Sequence, residues 1–190
     1  MTIAFSSSSP IASVALIDGV GGLICERSEE AGHNASGVLL ELLDDLLDKA
    51  GRKLEDADLF AADLGPGSFT GVRVGVTVCK TMAYAGGVRV VGADAFDLID
   101  MRCPVAIPSR KGEHFLRLPG RGPAVVRDLP QGTVGYGPAF EAPRYPSAKA
   151  FAQLLATCEA TDPEFMVPLY IAEPSISTPK DPRVKGGPVA

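Results

Sequence analysis

Tryptophan is absent from this 190-residue chain, histidine occurs twice and cysteine four times. Each shortage closes a class of chemistry. His33 and His114 stand alone, with no H-x-x-x-H or H-E-x-x-H spacing, so no metal site is read from the sequence. Cys25, Cys79, Cys103 and Cys158 are scattered and form no C-x-x-C pair, which reads as reduced thiols of a cytoplasmic protein rather than a disulfide framework. No apolar run approaches the ~20 residues of a membrane span. The apolar start has no Lys or Arg ahead of it and is interrupted by Ser6, Ser7, Ser8 and Ser9, unlike a secretory signal.

What is present is an ordinary globular composition, 46% hydrophobic and 22% charged, with a net charge of −5. That charge is unevenly spread. Residues 1–100 hold 7 Lys+Arg against 15 Asp+Glu, and residues 101–190 hold 11 against 8; proline is 2 in the first half and 14 in the second. A change of organisation near residue 100 follows from this.

Three short apolar runs, at 2–5, 13–17 and 23–27, predict a strand meander with a glycine turn between the second and third. Leu39, Leu42, Leu43, Leu46, Leu47 and Ala50 then recur at three- and four-residue steps opposite Glu41, Asp44, Asp45 and Asp48, predicting a helix that Gly51 ends. Residues 59–64 read as a fourth strand and 88–92 as a fifth. Between them, Val72, Val74, Val76 and Val78 alternate like a strand, whereas Val72, Val76, Cys79 and Ala83 line one side of a helix ending at Gly86-Gly87. We read a buried helix, on the length of the segment, on the helix-compatible Gly75, Lys80, Met82 and Ala83, and because two such strands need a crossover. Asp94 caps a short helix through Ile99. Beyond it the runs 105–107, 114–118, 124–127 and 133–136 predict short strands, residues 147–157 a helix capped by Ser147, residues 169–172 a last strand, and residues 173–190 a loose tail.

The feature that stands out is the turn Gly65-Pro66-Gly67-Ser68-Phe69-Thr70-Gly71, entered by a strand and left by a helix. Free N–H groups at a helix start suit an anion, with Ser68, Thr70 and Arg73 as further donors. No Gly-Lys-Ser/Thr follows it, and G-x-G-x-x-G spacing is absent. Tight packing of strand on helix explains the glycines equally well. Ser68 as a nucleophile would need His33 or His114 as its base, without a G-x-S-x-G elbow. Ser6 to Ser9 read as a polar turn within reach of a phosphate. Asp44, Asp45 and Asp48 read as a solvated helix face. Arg102, Arg110, Lys111, Arg117, Arg121 and Arg127 form a basic stretch that could touch RNA phosphates, against the plainer reading of a scattered solvated surface.

The run Leu64-Gly65-Pro66-Gly67-Ser68-Phe69-Thr70-Gly71-Val72-Arg73-Val74-Gly75, followed by Lys80 and by Val88-Arg89-Val90-Val91-Gly92, closely resembles the bacterial TsaB family, also called YeaZ. Ser13-Val14-Ala15-Leu16, Gly32-His33-Asn34, Arg110-Lys111-Gly112-Glu113 and Pro168-Leu169-Tyr170 extend the resemblance along the chain. It implies an α/β actin-like, sugar-kinase-like ATPase fold with two ribonuclease-H-like lobes: a first lobe at 1–100, a reduced second lobe at 101–172, and the tail at 173–190. It also implies a non-catalytic partner of the related enzyme TsaD, which with the ATPase TsaE transfers a threonylcarbamoyl group to N6 of adenosine 37 in tRNAs reading codons that start with A. The family's two first-lobe helices, here 36–50 and 70–85, serve self-association and TsaD pairing. Leu39, Leu43, Leu46, Val72, Val76, Cys79 and Ala83 are the residues we expect at that interface. Two departures support a scaffold: Ser6-Ser7-Ser8 replaces the family's acidic turn, and Gly37 stands where TsaD-type relatives carry a second metal-binding histidine. No catalytic residue, metal or cofactor is assigned, ATP or ADP being the ligand the loop would otherwise take. A small nucleotide-binding phosphotransferase or a serine peptidase is the alternative.

Overall fold

A computed structural model describes residues 1–171 apart from His33 and Lys111. Its element order is β1 (Thr2–Ser6), β2 (Ile11–Ile17), β3 (Leu23–Glu30), α1 (Ala35–Ala50), β4 (Leu59–Asp63), α2 (Phe69–Gly86), β5 (Arg89–Ala93), α3 (Ala95–Ile99), β6 (Val105–Pro108), β7 (His114–Arg117), β8 (Ala124–Val126), β9 (Val134–Gly135) and α4 (Phe151–Leu154).

The first five strands form one sheet in the order β3-β2-β1-β4-β5. β1, β2 and β3 pair antiparallel as a meander, while β4 runs parallel to both β1 and β5. A parallel β4–β5 pair requires a crossover, and α2 supplies it, as the sequence led us to expect. Ser68 caps its start by accepting the N–H of Gly71, and Gly87 ends it in the left-handed conformation. The strand-like valine alternation yields because Val72, Val76, Cys79 and Ala83 form one buried stripe.

Side chains alternate across this sheet. Ile3, Phe5, Val14, Leu16, Phe60, Ala62 and Val90 face α1 and α2 in the main core, and Ala4, Ala15, Ile17, Ala61 and Val91 face Ala148, Phe151 and Leu154 on the other side. Covering on both faces accounts for the nearly unbroken apolar strands. A second sheet, β8-β7-β6-β9, packs Val105, Ile107 and Tyr136 with Ala95 and Phe96. No helix among the described residues is long and apolar enough to cross a membrane.

Two expectations are corrected. The segment 147–157 is not one helix but a 3-10 turn (Ala148–Ala150) running into the single turn of α4. Ser147 makes no capping bond, because its hydroxyl is committed to Glu26 on β3. Residues 169–171 form no strand: the Leu169 N–H reaches the Leu64 carbonyl at 2.7 Å outside any ladder. Ala172 and the expected tail at 173–190 lie outside the described residues.

Candidate functional site: the serine turn and the glycine loop

β1 ends in the turn formed by Ser6 to Ser9, and β4 ends beside it in the glycine loop. A Cβ on Gly67 would stand 2.1 Å from the Ser8 carbonyl oxygen, and one on Gly71 2.0 Å from that of Ser7. Only glycine fits at either place. The Ser68 N–H donates to Ser8 O at 2.7 Å, and Ser7 Oγ donates to Gly71 O at 2.9 Å. Of the two readings open for the loop, close packing accounts for Gly67 and Gly71. Gly65, at φ +85°, and Pro66 are buried under the loop, whereas Ser68, Phe69, Thr70 and Arg73 are exposed.

The serine turn is polar, as read from the sequence, and it lies in the interior. Ser6, Ser7, Ser8 and Ser9 are all buried. The cause is Asp63, the last residue of β4, itself only 2% exposed. Its Oδ2 accepts the hydroxyls of Ser6 at 2.7 Å and Ser8 at 2.5 Å, and its Oδ1 accepts the Gly65 N–H at 2.8 Å. Burial pushes this carboxyl above the ordinary carboxylate range, and the hydrogen bonds from Ser8, Ser6 and Gly65 oppose that shift. Ser6 Oγ also lies 3.3 Å from the Pro146 carbonyl, and the Tyr136 hydroxyl reaches Ser8 O at 3.4 Å. Tyr136 is raised as well, chiefly by burial and then by the Asp63 charge. A carboxylate thus occupies the turn that lacks its own acid, delivered from the neighbouring strand. Sequence reasoning missed Asp63, although a charged residue ending a strand of Leu, Phe and Ala was a visible signal.

Ser68 Oγ accepts the Gly71 N–H at 3.2 Å, and no histidine partners it among the described hydrogen bonds. His114 lies on β7 in the second sheet, and His33 lies outside the described residues. Gly37, in the first turn of α1, donates its N–H to Asn34 Oδ1 at 3.3 Å. A Cβ there would meet the Asn34 side chain at 2.4 Å.

The interface expectation is corrected in its residues. Leu39, Leu43, Leu46, Val72, Val76, Cys79 and Ala83 are all buried in the chain's own core, because the sheet's upper face absorbs both helix stripes. Burial also raises the Cys79 thiol's pKa, leaving a protonated, inert group. The outward faces carry Ser36, Leu40, Glu41 and Asp44 on α1 and Thr70, Arg73, Thr77, Thr81 and Tyr84 on α2. A groove of about 350 Å³ is lined by Ser36, Thr70, Arg73, Val74, Thr77 and Val78. On the other side of α2, Lys80 Nζ donates to the carbonyls of Met166 at 2.8 Å and Glu164 at 3.3 Å. That bond pair holds the chain along α2, where Tyr170 meets Phe69 at 5.6 Å and Arg73 lies 5.3 Å over the Phe69 ring.

The basic stretch does not gather into one surface. Arg117 is pinned by Asp97 at 2.5 Å and by the Asp100 carbonyl at 2.6 Å. Strand pairing sets Arg110 and Arg127 at one end of the second sheet, where Arg127 meets Glu113 at 3.6 Å. Arg102 precedes β6 and Arg121 lies in the β7–β8 turn, at the other end. Lys111 lies outside the described residues. The plainer reading of scattered solvated charge fits this arrangement.

Known proteins share this fold and part of this sequence. The family model of TsaD, the tRNA N6-adenosine threonylcarbamoyltransferase, matches residues 12–99. The tRNA threonylcarbamoyladenosine biosynthesis protein TsaB of Haemophilus influenzae is 33% identical over 89 residues, 47% of this chain and 37% of that protein. The protein of the same name from Escherichia coli is 35% identical over 54 residues, 28% of this chain and 23% of that protein. The matched stretch thus spans about a third or less of these relatives. The solved structure of YeaZ from Pseudomonas aeruginosa superposes with a TM-score of 0.75 at 24% identity, covering 90% of this chain and 99% of that one. A second Pseudomonas aeruginosa structure, described as similar to the peptidase YEAZ, gives 0.78 with the same identity and coverage. The shared architecture is a mixed α/β fold. In sequence the first half of the chain is similar to TsaB proteins, and over nine-tenths of its length its fold is that of the solved YeaZ structures.

Proposed function

We propose that this chain is a non-catalytic subunit of the machinery that places threonylcarbamoyl on N6 of adenosine 37 in tRNAs reading codons that start with A. In this reading it acts in the cytoplasm as an activator of a TsaD-type enzyme, together with a TsaE-type ATPase, and touches tRNA through the complex. The observation that carries it is the inward commitment of the loop's glycines and of the carboxylate beside it. Gly67 and Gly71 are filled by the backbone of the serine turn, and both oxygens of Asp63 are taken by donors of the chain itself. What remains outward is a helical face with Ser68 and Phe69 at its start, and a chain similar to TsaB whose loop glycines are filled and whose helical face is open fits a partner role.

The partner surface in this proposal is the outer side of α1 and α2, centred on Leu40, Thr77 and Tyr84 rather than on the buried stripes. The same surface joins two copies when the enzyme is absent. Residues 1–100 act as the first lobe and 101–172 as a reduced second lobe. The test is reconstitution: the purified chain is mixed with TsaD and TsaE of its own organism and tRNA, and modified adenosine is measured with and without it. The expected result is product only in its presence; equal product in its absence overturns the proposal. Calorimetric titration with ATP and Mg²⁺ gives no heat of binding in this reading, and a Ser68→Ala chain retains full stimulation.

A further inference from the structure

The junction of the first sheet with the segment after Tyr145 contains one hydrogen too few. Ser6 Oγ lies 2.7 Å from Asp63 Oδ2 and 3.3 Å from the Pro146 carbonyl, and both are acceptors while Asp63 is ionised. A hydroxyl has a single hydrogen to give. Ser8 Oγ, at 2.5 Å, already donates to the same Oδ2. With Asp63 ionised, the Ser6 hydrogen goes to the nearer, charged acceptor and Pro146 loses its donor. With Asp63 protonated, its Oδ2–H donates to Ser6 Oγ, and Ser6 turns its own hydrogen to the Pro146 carbonyl. One proton passed from hydronium to Asp63 Oδ2, breaking an O–H bond of the hydronium and leaving water, changes the direction of the chain of hydrogen bonds.

We propose that Asp63, Ser6 and Pro146 form a proton-linked latch, in which uptake of one proton by Asp63 ties the segment from Pro146 to α4 onto the end of β1. The site is built for it. Asp63, Ser6 and Ser8 are buried, and Pro146 leads directly into Ala148, Phe151 and Leu154, which cover the lower face of the sheet. The surrounding elements leave Asp63 to titrate without a charged partner. From the second sheet the facing group is Tyr136, a neutral phenol raised by burial. Beside β5, Asp94 turns its carboxylate to the Asp97 N–H at 2.8 Å. On the far side of the 146–150 segment, Lys149 is engaged by Glu26 at 3.2 Å. The β1 turn contributes serines alone. Burial that disfavours the charged carboxylate brings its titration towards working pH. A second crossing bond, from the Ala148 N–H to Ser13 Oγ at 2.9 Å, does not involve Asp63 and supplies a reporter amide.

The test is amide hydrogen exchange of Ala148, Ala150 and Leu155, expressed as protection factors so that intrinsic pH effects cancel, alongside the ¹³C carboxyl shift of Asp63 from pH 4 to 9. Protection in the native chain is expected to rise about fivefold on the acid side of the Asp63 titration, the worth of one ordinary hydrogen bond. Ser6→Ala removes the relay and is expected to abolish that rise, while Ser8→Ala, which leaves Ser6 in place, keeps it. Asp63→Asn, a permanent donor, is expected to hold the acid-side value at every pH; should that chain not fold, the two serine variants decide. An Asp63 shift that does not titrate over this range overturns the proposal. So does a pH-dependent rise that survives in Ser6→Ala.

Discussion

Replacing Gly71 by Ala tests the packing of the glycine loop on the serine turn at its tightest point. The added carbon would sit 2.0 Å from the Ser7 carbonyl oxygen, about an ångström inside any tolerated contact. The listener on the other side is backbone, held by β1 in the middle of the sheet, so rotating a side chain gives no relief. Either α2 slides outward or the turn moves. Overpacking of this kind costs about 1–3 kcal/mol. The movement also stretches Ser7 Oγ to Gly71 O and Ser68 N–H to Ser8 O, worth about 1 kcal/mol each. Alanine's helix preference returns about 1 kcal/mol. The net loss is about 3 kcal/mol, which for a chain of this size lowers the melting midpoint by roughly 10 °C. Thermal unfolding by circular dichroism reads it directly. Gly86→Ala is the control: it lies at the other end of α2, and its Cβ would meet nothing nearer than Val88 Cγ2 at 3.8 Å. That variant should melt at or slightly above the native midpoint. If Gly71→Ala and Gly86→Ala melt within 2 °C of each other, the packing account of the loop is wrong.

Lys80→Met keeps the length of the side chain but removes the donor to the Met166 and Glu164 carbonyls, so limited proteolysis between Pro163 and Tyr170 should quicken several-fold while the global midpoint falls by only about 1–2 kcal/mol equivalent. On the proposed partner surface, Tyr84→Asp places a charge on a residue 84% exposed, and reconstituted tRNA modification should fall at least tenfold with no change in melting; a loss of stability instead would point to folding. The Asp100 carboxyl is held below its ordinary value first by the Arg102 N–H and further by Cys103 and Arg144. Its folded value being depressed, its contribution is present at neutral pH and is lost as pH falls through that value. Asp100→Asn should therefore melt lower than the native chain at pH 7, with the gap closing as pH falls below the ordinary carboxylate range.

Long-range pairing separated what was legible in the chain from what was not. The five strands and both long helices of the first half could be read because their periodicities are local: leucines of α1 every three or four positions, and glycines at both ends of α2. The choice of helix over strand for α2 rests on its length, on Gly75, Lys80, Met82 and Ala83, and on the need for a crossover, not on its valines. The second half was read less well because its strand runs are three to five residues long, too short for a period to declare itself, and the apolar spacing of residues 147–157 concealed a break between a 3-10 turn and α4. At the site, the glycine loop was visible, but its partner was not. Nothing in the sequence brings Asp63 to Ser6, since only the parallel register of β1 with β4, Phe5 opposite Ala62, sets the two turns side by side. The interface residues failed for the opposite reason. Periodicity finds a buried stripe without saying whether the chain's own sheet or a second chain buries it, and here the sheet does.

Asp63 also changes how the missing acid of the serine turn should be understood. An acid at the end of β1 would face whatever lies beyond the turn; one at the end of β4 reaches the same place from beneath and is closed over by Ser6, Ser8 and Gly65. Burying a carboxylate costs several kcal/mol unless donors surround it, and three surround this one. The donors in turn are fixed: Ser8 also receives Ser68 and Tyr136 at its carbonyl, and the turn fills the hollows over Gly67 and Gly71. Serines at 6 and 8, glycines at 67 and 71 and the acid at 63 therefore form one mutually dependent set, in which any single change leaves a buried polar group unpaired or a hollow misfilled. An acid restored at position 6 alone would meet Asp63 at hydrogen-bond distance, two carboxylates competing for one pocket, so Ser6→Asp should destabilise the fold unless Asp63 is replaced as well. Rescue of Ser6→Asp by Asp63→Gly, measured as recovery of the melting midpoint, is the double-mutant signature of that set; additive losses would show that the two positions are independent.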